Sequence, residues 1–250
     1  MKIDLSVIIP AYNEAENFKK GTLIQVDDYL KKQKYSWEVI VVNDGSVDST
    51  LKLLEDFIKN RKNWRLVNNT HKGKAAAVLE GISQAQGKYI LFSDFDQATP
   101  ISEVRKLLEQ AKQGFEVVIG SREIKGAKRQ KEPFYRHLMG KGFNAFVQLL
   151  VISGIHDTQC GFKLFEANAI KKIISKIEVY KNTKFSDAYT GAFDVELLYL
   201  ARKLQIKVCE VPIDWHHVKT TRVNPVKDSL RMLVDILKIR LYSFMGKYES

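Results

Sequence analysis

The chain has 250 residues, 45% hydrophobic and 28% charged, with 40 Lys and Arg against 29 Asp and Glu for a formal net charge of +11. That balance excludes a disordered chain, leaves room for a substantial core, and points to a polyanionic partner: nucleic acid, an anionic membrane surface or a phosphorylated substrate. Two cysteines, Cys160 and Cys209, form no CxxC pair, so neither a disulfide framework nor a zinc site is indicated and a reducing compartment fits.

The first 120 residues alternate in type. Continuous apolar, β-branched runs at 5–10, 37–44, 64–69, 88–94 and 116–120 predict strands covered on both faces. Helix-like segments lie between them, at 14–34, 48–62, 74–86 and 101–113. Such alternation predicts an α/β fold with a doubly wound, mostly parallel sheet. After residue 121 the rhythm changes. Residues 122–141 carry seven Lys or Arg against two Glu. A helix is expected over 133–152, then a loop, GIHDTQCGFKLF (154–165), a short helix, a polar loop near 180–192, a helix over 193–204, a strand over 207–215 and a last helix over 225–245.

Ligands of open α/β sheets bind at the carboxyl ends of the strands. Here those ends carry Pro10 to Glu14, Asn43 to Ser46, and Asp94-Phe95-Asp96. Three polar motifs at three strand ends can converge on one cleft. Two carboxylates one residue apart repel each other unless they splay into solvent or share a cation. The hard cations Mg²⁺ and Mn²⁺ take such oxygen ligands and share them with substrate phosphates. No dinucleotide, Walker or HExxH motif is present.

The motifs VIIPAYNE (7–14), VVNDGSVDST (41–50), HKGKAAAV (71–78), SDFDQAT (93–99), GSR (120–122), HDTQCGFKLF (156–165) and FDVELL (193–198) occur in one order along the chain. Together they resemble the inverting family-2 glycosyltransferases of GT-A fold, and among them the dolichyl-phosphate glucosyltransferases. The resemblance runs to residue 247. It implies one GT-A domain over 1–250, with a nucleotide-binding half (1–120), an acceptor-binding half (121–250) and a C-terminal helical extension. It also implies transfer of a sugar, glucose from UDP-glucose, to a polyprenyl (dolichyl-type) phosphate, with Mg²⁺ or Mn²⁺. By matching motifs, Pro10, Tyr12 and Glu14 line the base and ribose pocket, Asp44 contacts base or ribose, and Lys74 approaches the donor. Asp94 holds the donor side and Asp96 the metal. Asp94 and Gln97 are further candidate ligands, although Gln97 stands one position earlier than the glutamine of some mannosyl relatives. Arg122 and Arg136 resemble a basic pair that grips the acceptor phosphate. Other departures are Asn43 for a second Asp, Ala75 for a Gly, and Phe95 in the triplet.

A phosphate monoester is itself a nucleophile near neutral pH, because its second pKa is about 6. It needs positive charge to dock more than it needs a base. A saccharide acceptor would instead demand a carboxylate base, for which Asp157 and Asp194 are the candidates. Asp157 either orients the acceptor side or caps a loop. Asp194 and Glu196, about 200° apart on a helix, are expected to divide, one toward the cleft and one outward. His156, His216 and His217 are expected in structural roles, and Cys160 in packing. A nucleic-acid-binding module would explain the charge but not the acidic triplet, and no recognition signature accompanies it; no nucleic-acid partner is expected.

A lipid acceptor is met at a membrane surface. The longest largely apolar stretch, 145–155, falls short of the roughly 20 residues of a membrane span, and the apolar run at the start is too short for a signal peptide. Peripheral attachment on the cytoplasmic face is therefore expected. In the last helix Leu230, Leu233, Val234, Leu237 and Leu241 form one stripe, and Lys227, Arg231 and Lys238 another face. That pattern fits either an interfacial helix or one packed on the domain.

Overall fold

The computed structural model describes residues 3–130, 134–181, 191–218 and 225–249; of 134–141 and 225–227 it describes the backbone alone. The chain runs β1 (Leu5–Ala11), α1 (Ala15–Lys19), α2 (Thr22–Lys31), β2 (Trp37–Asp44), α3 (Thr50–Ile58), β3 (Trp64–Asn69), α4 (Lys74–Gln84), β4 (Tyr89–Ser93), a 3₁₀ turn (Ile101–Glu103), α5 (Val104–Lys112) and β5 (Val117–Ser121). There follow β6 (Lys128–Gln130), α6 (Phe134–Leu150), β7 (Phe162–Glu166), α7 (Ala167–Ser175), α8 (Phe193–Lys203), β8 (Val208–Pro212), β9 (Asp214–His216) and α9 (Pro225–Phe244).

Among the described residues the main sheet has seven strands in the order β3-β2-β1-β4-β7-β5-β8. It is mostly parallel. β7 alone among these strands runs antiparallel to both its neighbours. Every residue of β1 is buried, as a strand covered on both faces requires. The β1–β2 register, Leu5 opposite Trp37 through Ala11 opposite Asn43, delivers Tyr12 to Glu14 beside Asp44 at one rim. α3 starts where Asp48 Oδ1 accepts the Thr50 N–H at 2.9 Å, and α7 where the Glu166 carboxylate accepts the Ala169 N–H, also at 2.9 Å.

The structure corrects three expectations. The helix expected over 14–34 is broken: Gly21 sits at φ +79°, a left-handed conformation that glycine adopts at little cost, and α1 ends before it. The loop expected over 154–165 contains most of β7. A charged residue, Lys163, interrupts its apolar run, yet Phe162, Lys163, Leu164 and Phe165 are all buried between β4 and β5. The strand expected over 207–215 is two: β8 joins the main sheet, while β9 pairs with β6 in a small ribbon.

Candidate active site

Backbone N–H groups tie the first two strand ends together. Asn13 N donates to Ser46 Oγ at 3.0 Å and Glu14 N to Thr50 Oγ1 at 2.7 Å. In return Asn13 Oδ1 accepts from Val47 N at 2.9 Å, and Asp48 Oδ2 from Ala15 N at 3.3 Å. Pro10 is buried within β1, and Glu14 is buried at the head of α1, accepting from Asn17 Nδ2 at 2.6 Å. The Tyr12 ring lies on the rim, stacked on His71 with centroids 4.1 Å apart and planes 16° apart.

Asp44, expected to contact base or ribose, organises the neighbouring loop. Its buried carboxylate accepts from Lys72 N at 2.8 Å and Gly73 N at 2.9 Å, and pairs with His71 Nδ1 at 2.8 Å. Burial pushes its pKa up against those hydrogen bonds. Asp44 therefore shapes the 71–73 loop. That loop sets the His71 ring under Tyr12 and delivers Lys74 to the cleft at the start of α4.

Lys74 Nζ lies 2.6 Å from Asp94 Oδ1, past the end of β4. Burial alone would lower its pKa, but Asp94, Asp194 and Asp96 outweigh burial and raise it, so the ammonium stays charged. Asp94 is held from behind as well: its N–H donates to the Gly161 carbonyl at 3.1 Å. A Cβ on residue 161 would stand 1.9 Å from Asp94 Oδ2, so any larger residue there would displace the Asp94 carboxylate. Asp96 is pushed up to about 6, first by burial and then by the charges of Asp94 and Glu14. Gln97 is buried with Nε2 donating to Ser93 Oγ at 3.1 Å and to the Asp94 carbonyl at 2.9 Å; its Oε1 is buried with no partner. Two repelling carboxylates, followed in sequence by a residue with an unsatisfied acceptor oxygen, suit a hard divalent cation. Among the described residues no group of three or more His, Cys, Asp or Glu gathers to hold one.

The second half of the chain braces this site. Arg122, just past β5, grips Asp157 with Nε to Oδ2 and a terminal nitrogen to Oδ1, both at 2.7 Å, and with its own N–H at 2.9 Å. Burial would raise the Asp157 pKa, but the Arg122 charge and these bonds hold it below the usual carboxylate range. Glu210 on β8 pins the same loop, accepting from His156 N at 2.8 Å and Asp157 N at 3.0 Å. Lys163, 0% exposed, pairs with Asp194 Oδ1 at 2.6 Å and donates to the Cys160 carbonyl. Glu196 is buried too, not turned outward. It accepts the N–H groups of Glu178, Val179 and Tyr180 and the Tyr248 hydroxyl. Cys160 is buried, with its thiol pushed up to about 12 by that burial.

The expectation that Asp157 and Asp194 stand ready as catalytic carboxylates thus meets two closed ion pairs, and the expectation that Arg122 faces an acceptor phosphate meets a guanidinium held by Asp157. Arg136 lies on α6, and its side chain is outside the described residues. Sequence reasoning missed His71, Lys163 and Glu210. Lys163 had a signal, since a lone charge in an apolar strand demands a buried partner.

In the last helix Met232, Ile236 and Ile239 pack inward. Leu230, Val234, Leu237, Leu241 and Phe244 face out, 50–91% exposed. Of the expected stripe only Leu233 is not on this exposed row, and Lys227 lies outside the described side chains. No helix among the described residues is long and apolar enough to cross a membrane.

Residues 6–174 match the family described as Glycosyl transferase family 2. The dolichyl-phosphate beta-glucosyltransferase of Dictyostelium discoideum is 35% identical over 260 residues, covering 99% of this chain and 77% of its own. That of Saccharomyces cerevisiae is 35% identical over 272 residues, covering 100% and 78%. The structure of glucosyl-3-phosphoglycerate synthase from Mycobacterium tuberculosis, in complex with Mn²⁺, UDP and glucosyl-3-phosphoglycerate, superposes with a TM-score of 0.62 at 16% identity, covering 95% of this chain and 80% of that one. That likeness shows the fold, which is the expected GT-A architecture.

Proposed function

The chain belongs to glycosyl transferase family 2, and from that premise we propose that it transfers glucose from UDP-glucose to a dolichyl-type polyprenyl phosphate with inversion at the anomeric carbon. Relatives of 35% identity over nearly the whole chain carry the name dolichyl-phosphate beta-glucosyltransferase, which supports both the sugar and the lipid. The observation that carries the acceptor class is the state of the two candidate bases. Asp157 and Asp194 are each neutralised in a buried ion pair, which suits an acceptor that brings its own nucleophile. An ionised phosphate oxygen of the lipid attacks C1 of the sugar, the C1–oxygen bond to UDP breaks, and no proton needs removing.

The remaining roles follow from the side chains. Tyr12, stacked on His71, offers a platform to the base, with Pro10 and Glu14 beside it. Lys74, kept charged by Asp94, offers an ammonium to the departing diphosphate. Asp94, Asp96 and the free Gln97 Oε1 would hold Mg²⁺ or Mn²⁺, and the ion would supply Lewis-acid neutralisation of the leaving group. The acceptor phosphate is met by the basic segment 122–141, Arg136 included, with Arg122 placing the loop rather than gripping the phosphate alone. The outward row of α9 lies on the membrane that holds the lipid, at its cytoplasmic face.

The test is a donor panel of UDP-glucose, UDP-N-acetylglucosamine and GDP-mannose with polyprenyl phosphate and either metal, the lipid product being identified by mass. Glucosyl transfer to the lipid phosphate is expected. Transfer to an oligosaccharide in preference to lipid phosphate overturns the acceptor assignment.

A further inference from the structure

We propose that the buried Lys163–Asp194 ion pair is a positioning device for the Asp94 carboxylate, acting through the turn at Cys160 and Gly161; the inference rests on the glycosyl-transfer reading above. Both members lie inside the protein, Lys163 0% and Asp194 1% exposed, with Nζ 2.6 Å from Oδ1. Taking two ions out of water costs free energy that their attraction often fails to return. Apolar residues of similar volume in their place are commonly as stable or more so. Such a pair is a poor device for stability, and its surroundings point to another use.

The Lys163 ammonium also donates to the Cys160 carbonyl, so it fastens the turn before β7 to α8. The next residue, Gly161, is the surface against which Asp94 rests. Its carbonyl accepts the Asp94 N–H at 3.1 Å, and a Cβ added to it would stand 1.9 Å from Asp94 Oδ2. The other carboxylate oxygen, Oδ1, meets Lys74 Nζ at 2.6 Å. Asp94 thus has a cation on one oxygen and the clamped turn against the other. Its side chain is 35% exposed, so what holds it in one geometry is this backing more than burial. Phe92 links the two ion pairs. The Lys74 ammonium lies 5.1 Å from the centroid of its ring, Lys163 is its partner in the β4–β7 register, and the ring of Phe193, next to Asp194, is 6.0 Å away. Without the Lys163 charge the turn loses its tie to α8, and the Asp94 carboxylate loses its backing. A misplacement of about 1 Å in such a group costs on the order of 100-fold in rate.

The experiment compares wild type, Lys163→Met, and Lys163→Met combined with Asp194→Leu, all as the full chain. It reads thermal melting and UDP affinity of the metal-free protein, Mn²⁺ affinity by electron paramagnetic resonance, and turnover of UDP-glucose with polyprenyl phosphate well below the melting point. The single variant should melt lower, because Asp194 is left buried and unpaired, and the double variant should recover most of that loss. Mn²⁺ affinity should be about tenfold lower in both variants, and kcat lower by on the order of 100-fold. Metal-free UDP affinity and the acceptor KM should stay within about twofold, since Tyr12 and His71 are held by other elements. Three results overturn the inference. If Mn²⁺ affinity and kcat return with the melting temperature in the double variant, the pair serves stability alone. If the double variant stays as unstable as the single one, the fold itself needs the ions. If metal-free UDP affinity falls along with kcat, the damage is not confined to Asp94. Failure of the parent reading looks different: wild type would then transfer no glucose, while the melting and Mn²⁺ comparisons would still decide the positioning role.

Discussion

Replacing Asp157 by Asn separates a brace from a base. The native carboxylate is buried and accepts three hydrogen bonds from Arg122, at 2.7, 2.7 and 2.9 Å. Asparagine keeps the shape but removes the charge and presents an N–H group to a guanidinium that is itself mostly buried. Breaking one side of such a pair costs about 3–5 kcal/mol. In a chain of this size that is roughly 6–20 °C in melting temperature, at about 2–4 °C per kcal/mol. The loss should carry a pH signature. The folded pKa of Asp157 is held below its ordinary value, so the pair contributes fully above about pH 4, the unfolded value, and fades as pH falls through the folded one. Urea unfolding followed by tryptophan fluorescence should show a constant gap between wild type and variant from pH 5 to 8 that closes in acid. Turnover, measured well below the variant's melting point, should fall less than the 100-fold to 10,000-fold typical of a lost general base. A variant that melts with wild type and has lost its turnover would refute the reasoning and return Asp157 to the chemistry.

Asp96→Ala should abolish metal-dependent turnover and weaken Mn²⁺ binding followed by electron paramagnetic resonance; a fully active variant rules out its role as ligand. In the intact protein the Asp96 pKa near 6 means that a proton competes with the metal, so Mn²⁺ affinity should fall about tenfold per unit as pH drops below 6. Without metal the sign for stability is the reverse of the usual carboxylate case. The folded value is the higher one, so the Asp96 contribution is present below about pH 4 and lost as pH rises through 6, which titration of urea midpoints will read. Gly161→Ala drives a Cβ into the Asp94 carboxylate and should lower kcat/KM on the order of 100-fold through misplacement of that group; unchanged kinetics would mean that Asp94 is not held where it acts. Leu237→Glu with Leu241→Glu should reduce flotation with vesicles containing anionic lipid while leaving the melting temperature within about 2 °C, since both positions face solvent; undiminished flotation would remove α9 from the membrane contact.

What could be read from sequence divides along physical lines. The ends of β1, β2 and β4 were legible because buried parallel strands are continuous apolar runs, and the first polar residue after each marks the rim. The cluster of Lys74, Asp94 and Asp96 follows from that topology. β7 was hidden because a run of five residues with a lysine at its second position lacks the composition of a core strand; its reason, the ammonium answering Asp194, lies 31 residues away. The Arg122–Asp157 pair spans 35 residues, so each partner alone looked available for chemistry. The hold of Asp44 on the 71–73 loop was hidden in the same way, because its partners lie 27 to 29 residues on. Periodicity in α9 revealed a stripe but not its direction, because Met232, Ile236 and Ile239 make a second apolar row that the core takes instead.

The insertion of β7 between β4 and β5 has a consequence for synthesis on the ribosome. When β4 emerges, the strand that will bond to its open side has not been translated. At about 5–20 residues per second that side stays unzipped for on the order of several seconds, a template for any neighbouring chain. A fragment stopping at residue 120 would keep the gap permanently and should precipitate or recruit a chaperone, whereas the chain extended through residue 166 carries its own closing piece.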